Sequence, residues 1–361
     1  MKKSFTGERL LLVGNSGVVH IGAHLHQAAK TLSLRVALCD STKAFDGPAW
    51  LGKFNWWLRG HRPTRLREFS EEVLKTCQEF RPVWMLSVGM APIEAQALDA
   101  IGKFGVQRLN YLTDDPWNPA HRAPWFMKAL PLYDHVFSLR RSNLGDLRQA
   151  GCRRVSYLPF AYAPELHFQQ PPATGEERSR FSYDVVFAGG ADRDRVPYIA
   201  ALIRAGFKLG LYGGYWERYP ETRSYSRGHA DPRTLRLAIG GAKVALCLVR
   251  RANRDGNSMR SFEVPAIGAS MLTEDTDEHR EIFGENGRAV VYFDSIDEML
   301  ENLQWLLANE KERKRLACAA HSLIVNGRNT YGDRLLTMLA VNGSGMEESA
   351  PEVKDQIGLR R

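Results

Sequence analysis

The residues with the clearest capacity for chemistry lie between Asp255 and Phe293. A polar loop, Asp255-Gly256-Asn257-Ser258, leads into a short apolar helix predicted over 259–267 and stopped by Gly268. Glu263 stands inside that helix among Phe262, Val264 and Ala266, where a carboxylate is costly unless it has a partner. The helix start, with Arg260, offers free backbone N–H groups and the positive end of the helix dipole, which suits a phosphate. Together they fit a site that holds a diphosphate at the helix start and sugar hydroxyls at the carboxylate one turn on. The simpler reading makes Glu263 a surface residue and Gly268 an ordinary C-cap.

A second acidic cluster, Asp114-Asp115-Pro116-Trp117, follows a predicted strand over 106–112. Open α/β sheets bind ligands at the carboxyl ends of their strands, so Asp114 or Asp115 is a candidate to face a reacting sugar or an acceptor hydroxyl, with Trp117 beside it. The competing reading is an Asx turn ahead of a helix.

The elements that must position these groups repeat one pattern. Strand 10–13, the turn Gly14-Asn15-Ser16-Gly17, helix 21–32 and strand 35–40 open a doubly wound α/β unit. Gly17 would allow close approach of a ligand, and His20 and His24 begin the helix without the carboxylate of a zinc-protease motif. The pattern recurs at strand 183–187, Ala188-Gly189-Gly190 and helix 196–205, where Arg193 and Arg195 could grip a diphosphate through bidentate bonds. Strand 209–212 then ends at Tyr212, before Gly213-Gly214. Neither glycine turn is G-x-G-x-x-G, which argues against a dinucleotide-dependent reductase.

The organisation that follows is a first unit over 1–168, a Pro-rich polar linker over 169–180, a second unit over 181–340 and a polar tail over 341–361, expected to be mobile. A chain of 361 residues suits two cores. The five cysteines are dispersed without a CxxC pair, as expected of a cytoplasmic protein without structural zinc or disulfides. No apolar run is long enough to span a membrane, and the N-terminus lacks a signal peptide's pattern. The whole excess of +8 lies in residues 1–168, with 22 Lys/Arg against 14 Asp/Glu. Such a field favours an acidic acceptor, an anionic membrane surface or nucleic acid, or else is a merely solubilising surface. Residues 41–67 read as an irregular insertion in which Trp50, Phe54, Trp56 and Trp57 are followed by Arg59, Arg62, Arg65 and Arg67. It suits either stacking on sugars or bases, or a packed flap.

Arg260, Phe262, Glu263, Pro265, Ala266, Gly268, Leu272 and Thr273 resemble the pattern of the CgeB-like (spore maturation protein-like) glycosyltransferases, a GT-B branch related to retaining glycosyltransferase family 4. Tyr292-Phe293-Asp294-Ser295, Asp114-Asp115-Pro116 and the segment 329–334 are similar too. The family 4 signature is Glu-x7-Glu; Glu263 fits its second position, and Asp255 departs at the first. The resemblance implies a GT-B fold, two Rossmann-like domains facing a cleft, and transfer from a nucleotide-diphosphate sugar, expected to be UDP-linked, with retention. It places Glu263 on the ribose, Tyr212 near the base, Asp255, Asn257, Ser258 and Arg260 around the diphosphate and sugar, and Gly17 at the cleft. No DxD motif of the metal-dependent GT-A kind is read, so no metal or other cofactor is expected. A GT-B nucleotide-sugar epimerase and a non-catalytic polyanion-binding protein are the alternatives. The sugar, the nucleobase, the acceptor, the stereochemical course and the oligomeric state are not legible from the sequence itself.

Overall fold

Short runs of Val, Leu, Ile and aromatic residues bounded by glycine become strands buried on both faces, as parallel sheets require. The computed structural model describes residues 5–340; the tail expected over 341–361 lies outside them. The first six strands are β1 (Arg9–Gly14), β2 (Arg35–Asp40), β3 (Trp84–Val88), β4 (Gln107–Leu112), β5 (His135–Ser138) and β6 (Val155–Tyr157). They form one parallel sheet in the order β2-β1-β3-β4-β5-β6. The next five are β7 (Tyr183–Ala188), β8 (Leu209–Tyr212), β9 (Ala242–Cys247), β10 (Met271–Glu274) and β11 (Val291–Phe293). Their order is β11-β10-β9-β7-β8, again all parallel.

Both sheets reverse winding direction beside their first strand, between β1 and β3 and between β7 and β9. Loops leaving adjacent strands diverge there and open a crevice, the position at which doubly wound sheets hold ligands. The final helix, Tyr331–Ala340, leaves the second sheet and packs beside helix Ile21–Thr31 of the first. Tyr331 stacks on His24 with ring centres 5.0 Å apart. Arg334 donates to the carbonyls of Pro159 (3.0 Å) and Phe160 (2.8 Å), pinning the helix to the first crossover.

Two connecting segments depart from the expectations. Residues 169–180, expected as a linker, hold much of a helix, Gly175–Phe181, because Thr174 and Glu177 form a reciprocal capping box. The insertion 41–67, expected to be irregular, contains helix Ala49–Leu58, whose single buried residue is Asn55. Nor is it a packed flap throughout: Trp50 and Trp57 are 70% and 79% exposed.

Candidate active site

The loop after β7 forms one wall of the site. Arg195 is buried and spends its guanidinium on the carbonyls of Gly190 (3.2 Å), Leu248 (2.8 Å) and Val249 (3.3 Å), tying the loops after β7 and β9 together. Trp216 donates its indole N–H to the Gly189 carbonyl at 2.8 Å. Gly213, at φ +127°, lets the turn after β8 lie against that carbonyl, where any side chain would collide.

Helix Arg260–Ile267 starts at the same wall. Its first amide to donate within the turn is that of Ser261, to Ser258 O at 3.1 Å, so the amides of Met259 and Arg260 precede the helical ladder. Gly268 ends it in the left-handed region at φ +90°, as expected. Glu263 is 1% exposed and pairs with Arg260 one turn back. His167 lies on its other side, Nε2 to Oε1 3.5 Å. The Ala163 amide donates to His167 Nδ1 at 3.1 Å, so that nitrogen is unprotonated and the neutral ring carries its proton on Nε2, toward the carboxylate. Burial, reinforced by Arg260 and His24, lowers the His167 pKa to about 2, so the ring stays neutral.

Glu263, His167, Tyr212, Gly213 and His229 line a chamber of about 260 Å³. It opens, past Gly189, Gly190, Met259 and Arg260, into a larger cleft of about 530 Å³. The far wall of that cleft belongs to the first sheet: His20 after β1, Gly89 and Met90 after β3, and Thr113 and Asp114 after β4. Arg250 and Arg140 project into it as well. The loops at both switch points thus face each other across one space.

The structure therefore gathers Asp114, His20, Gly189, Gly190, Arg195, Tyr212, Asp255, Ser258, Arg260 and Glu263 around the two chambers. Five residues singled out in the sequence stand off the lining. Asp115 is buried and accepts from Arg254 Nε (2.7 Å), Asn143 (3.0 Å) and the Trp117 amide (3.0 Å), which is an Asx turn locked by an ion pair. Trp117 packs on the core of the first sheet. Asn257 is buried against Glu278 and the Leu139 carbonyl. Arg193 is exposed, and Gly17 is half-buried in a turn closed by Asn15. Asp255 does reach the cleft, yet its carboxylate is buried and paired with Arg140. Burial raises its pKa against the pull of Arg140.

Sequence reasoning overlooked Arg140, Arg250 and His167. The first two stand just past β5 and β9, at the ligand-binding ends of the sheets, and that position was the available signal. His167 had none, because only the crossover brings it to Glu263.

Comparison with known proteins bears on this geometry. Residues 195–340 match the model of a family described as glycosyl transferase-like. A search of the curated proteins by sequence found no match. Among solved structures, sucrose-phosphate synthase from Thermosynechococcus elongatus superposes with a TM-score of 0.66 at 10% identity, covering 92% of this chain and 97% of that one. HepE from Anabaena, solved in complex with UDP-glucose, gives 0.63 at 13% identity, with 91% and 98% covered. The UDP-forming α,α-trehalose-phosphate synthase of Burkholderia xenovorans gives 0.61 at 12%, with 92% and 98% covered. The fold is GT-B. Its two facing doubly wound sheets extend over the whole described chain, and the family match falls on the half that carries Glu263.

Proposed function

We propose that the protein is a glycosyltransferase that takes a sugar from a nucleotide-diphosphate donor, with UDP as the nucleotide. The observation that carries this is the shared chamber in which the start of helix Arg260–Ile267, the Gly189-Gly190 loop and the buried carboxylate of Glu263 meet at the second sheet's switch point. In this reading Glu263 grips the ribose hydroxyls, oriented by His167 and Arg260, and the base lies near Tyr212 and Gly213. The diphosphate lies on the amides of Met259 and Arg260, with Arg250 and Arg260 over it.

As the bond from the anomeric carbon to the diphosphate oxygen breaks, charge grows on the leaving diphosphate. Prepositioned amides and guanidinium groups stabilise that charge without reorganising. The acceptor hydroxyl enters from the first sheet's side, where Asp114 and His20 orient it. Metal independence, retention of anomeric configuration, placement in the CgeB-like branch and a cytoplasmic location complete the proposal. The glycosyl transferase-like match favours transfer over epimerisation, and an epimerase would interconvert the sugar with no acceptor present.

Calorimetric titration with UDP, GDP, TDP and ADP tests the reading. UDP is expected to bind in the micromolar range with or without EDTA, and Glu263→Ala to weaken it by about tenfold or more, roughly 1.4 kcal/mol. If no nucleotide binds, or binding ignores Glu263, the proposal fails.

A further inference from the structure

Helix Ala49–Leu58 is built inside out. Trp50, Phe54, Trp57 and Leu58 recur at i, i+4, i+7 and i+8, which is the stripe a helix normally turns to a core. Here that stripe faces solvent: the four side chains are 70%, 43%, 79% and 72% exposed. Asn55, on the opposite side, is buried. Large apolar groups exposed together mark an interaction surface, whereas single ones need no explanation.

The charged residues within this segment have one sign. Residues 47–67 contain Lys53, Arg59, Arg62, Arg65 and Arg67 and no Asp or Glu. Arg62 is paired with Glu94, the N-cap of helix Ala95–Lys103, and Arg67 with Glu71 one turn on in its own helix. Arg59 lies over the Phe54 ring at 5.6 Å, and Lys53 is exposed on the helix itself. The chain just past the helix is tied down at His61. The Trp125 indole donates to the His61 carbonyl at 3.2 Å, and His61 Nδ1 lies 2.9 Å from the Arg122 carbonyl. Phe45, just before it, lines the cleft and is 52% exposed. The segment that leads into the helix therefore borders the cleft.

We propose that this face docks the protein on an anionic lipid bilayer. Tryptophan and phenylalanine on one helical stripe, flanked by basic side chains, suit insertion at the level of lipid headgroups. The cations complement an anionic leaflet, and neither signal alone gives stable attachment. Because the helix follows the cleft-lining Phe45, docking would bring the cleft close to the bilayer and to a lipid-borne acceptor. The inference goes beyond the proposed transfer reaction and does not depend on it.

The test is flotation of the full-length protein with vesicles of phosphatidylcholine alone or with about one-third phosphatidylglycerol. The wild type is expected to float with the anionic vesicles at least about tenfold more than with the neutral ones, less so as salt rises. The triple substitution Trp50→Ser, Phe54→Ser, Trp57→Ser should abolish flotation. Lys53→Glu with Arg59→Glu should cut it severalfold. These side chains are exposed, so melting temperature should not change, which separates lost docking from lost folding. Equal binding to both vesicle types, or flotation unaffected by the triple substitution, overturns the proposal. So does a triple variant that floats normally but loses self-association or binding to a soluble glycan.

Discussion

His24, His135 and His167 are buried and neutral, their pKa values pushed down to about 4, 4 and 2, chiefly by loss of solvation. The unfolded chain binds protons at these residues near the ordinary histidine value of about 6.5, and the folded protein does not. Stability therefore falls as pH drops below about 6.5, by up to about 1.4 kcal/mol per pH unit for each ring. Asp255 and Glu278, whose pKa values burial raises, take up protons in the folded state and oppose the trend at lower pH. His135 isolates the effect, since it stacks on Phe137 at 4.1 Å, away from the cleft. His135→Phe is expected to flatten the slope of urea-unfolding free energy between pH 6 and 5 by about one proton's worth; an unchanged slope would refute the assignment. At this scale the sequence was informative where chemistry demands a partner. Glu263 in an apolar helix had to face something, and it faces Arg260, His167 and the chamber. Asp114 and Asp115 are chemically equivalent neighbours in sequence. Only tertiary contact separates them, leaving one on the cleft wall and sending the other to Arg254.

The strands read over 10–13, 35–40, 106–112, 183–187 and 209–212 all form, because each is a short apolar run ended by glycine or a polar turn. Helix Ala49–Leu58 was not legible: its apolar residues do recur at helical spacing, but Gly52, the adjacent Trp56-Trp57 pair and the arginines that follow blur the pattern. The returning helix Tyr331–Ala340 read as the end of the second unit, since nothing local marks the first sheet's helix as its packing partner. The turn after β8 lends itself to a sharp test. Gly213 has positive φ and no room for a Cβ beside the Gly189 carbonyl. Gly213→Ala is expected to cost about 2–3 kcal/mol and to weaken nucleotide binding, because the wall of the chamber must move. Gly214→Ala meets only the tip of His229, at 3.0 Å, which can rotate aside. Urea melts and UDP titration of the two variants should therefore differ. Equal tolerance would mean that the Gly213 turn does not shape the site.

The two halves are fastened along one side of the cleft by polar contacts that reach from sheet to sheet. Asp115 pairs with Arg254 at 2.7 Å, and Asn118 donates to Asn253 at 2.7 Å. Glu278 accepts the Arg141 amide at 2.9 Å, and Arg140 pairs with Asp255. The last is the more deeply buried of the two ion pairs, its side chains only 2% and 8% exposed, and it projects from the end of β5 into the loop ahead of helix Arg260–Ile267. A buried pair need not stabilise relative to an apolar replacement, but removing one partner strands the other charge out of water. Arg140→Met is therefore expected to cost about 3–5 kcal/mol in urea unfolding, and Arg140→Met combined with Asp255→Asn to recover much of it. If the double variant is as unstable as the sum of the singles, the two side chains act independently and the cleft floor is held by its other contacts. Recovery of stability without recovery of nucleotide affinity would assign the pair a second task, holding the start of helix Arg260–Ile267 against the first sheet. In that case the ion pair that joins the halves also sets the distance across which donor and acceptor must meet.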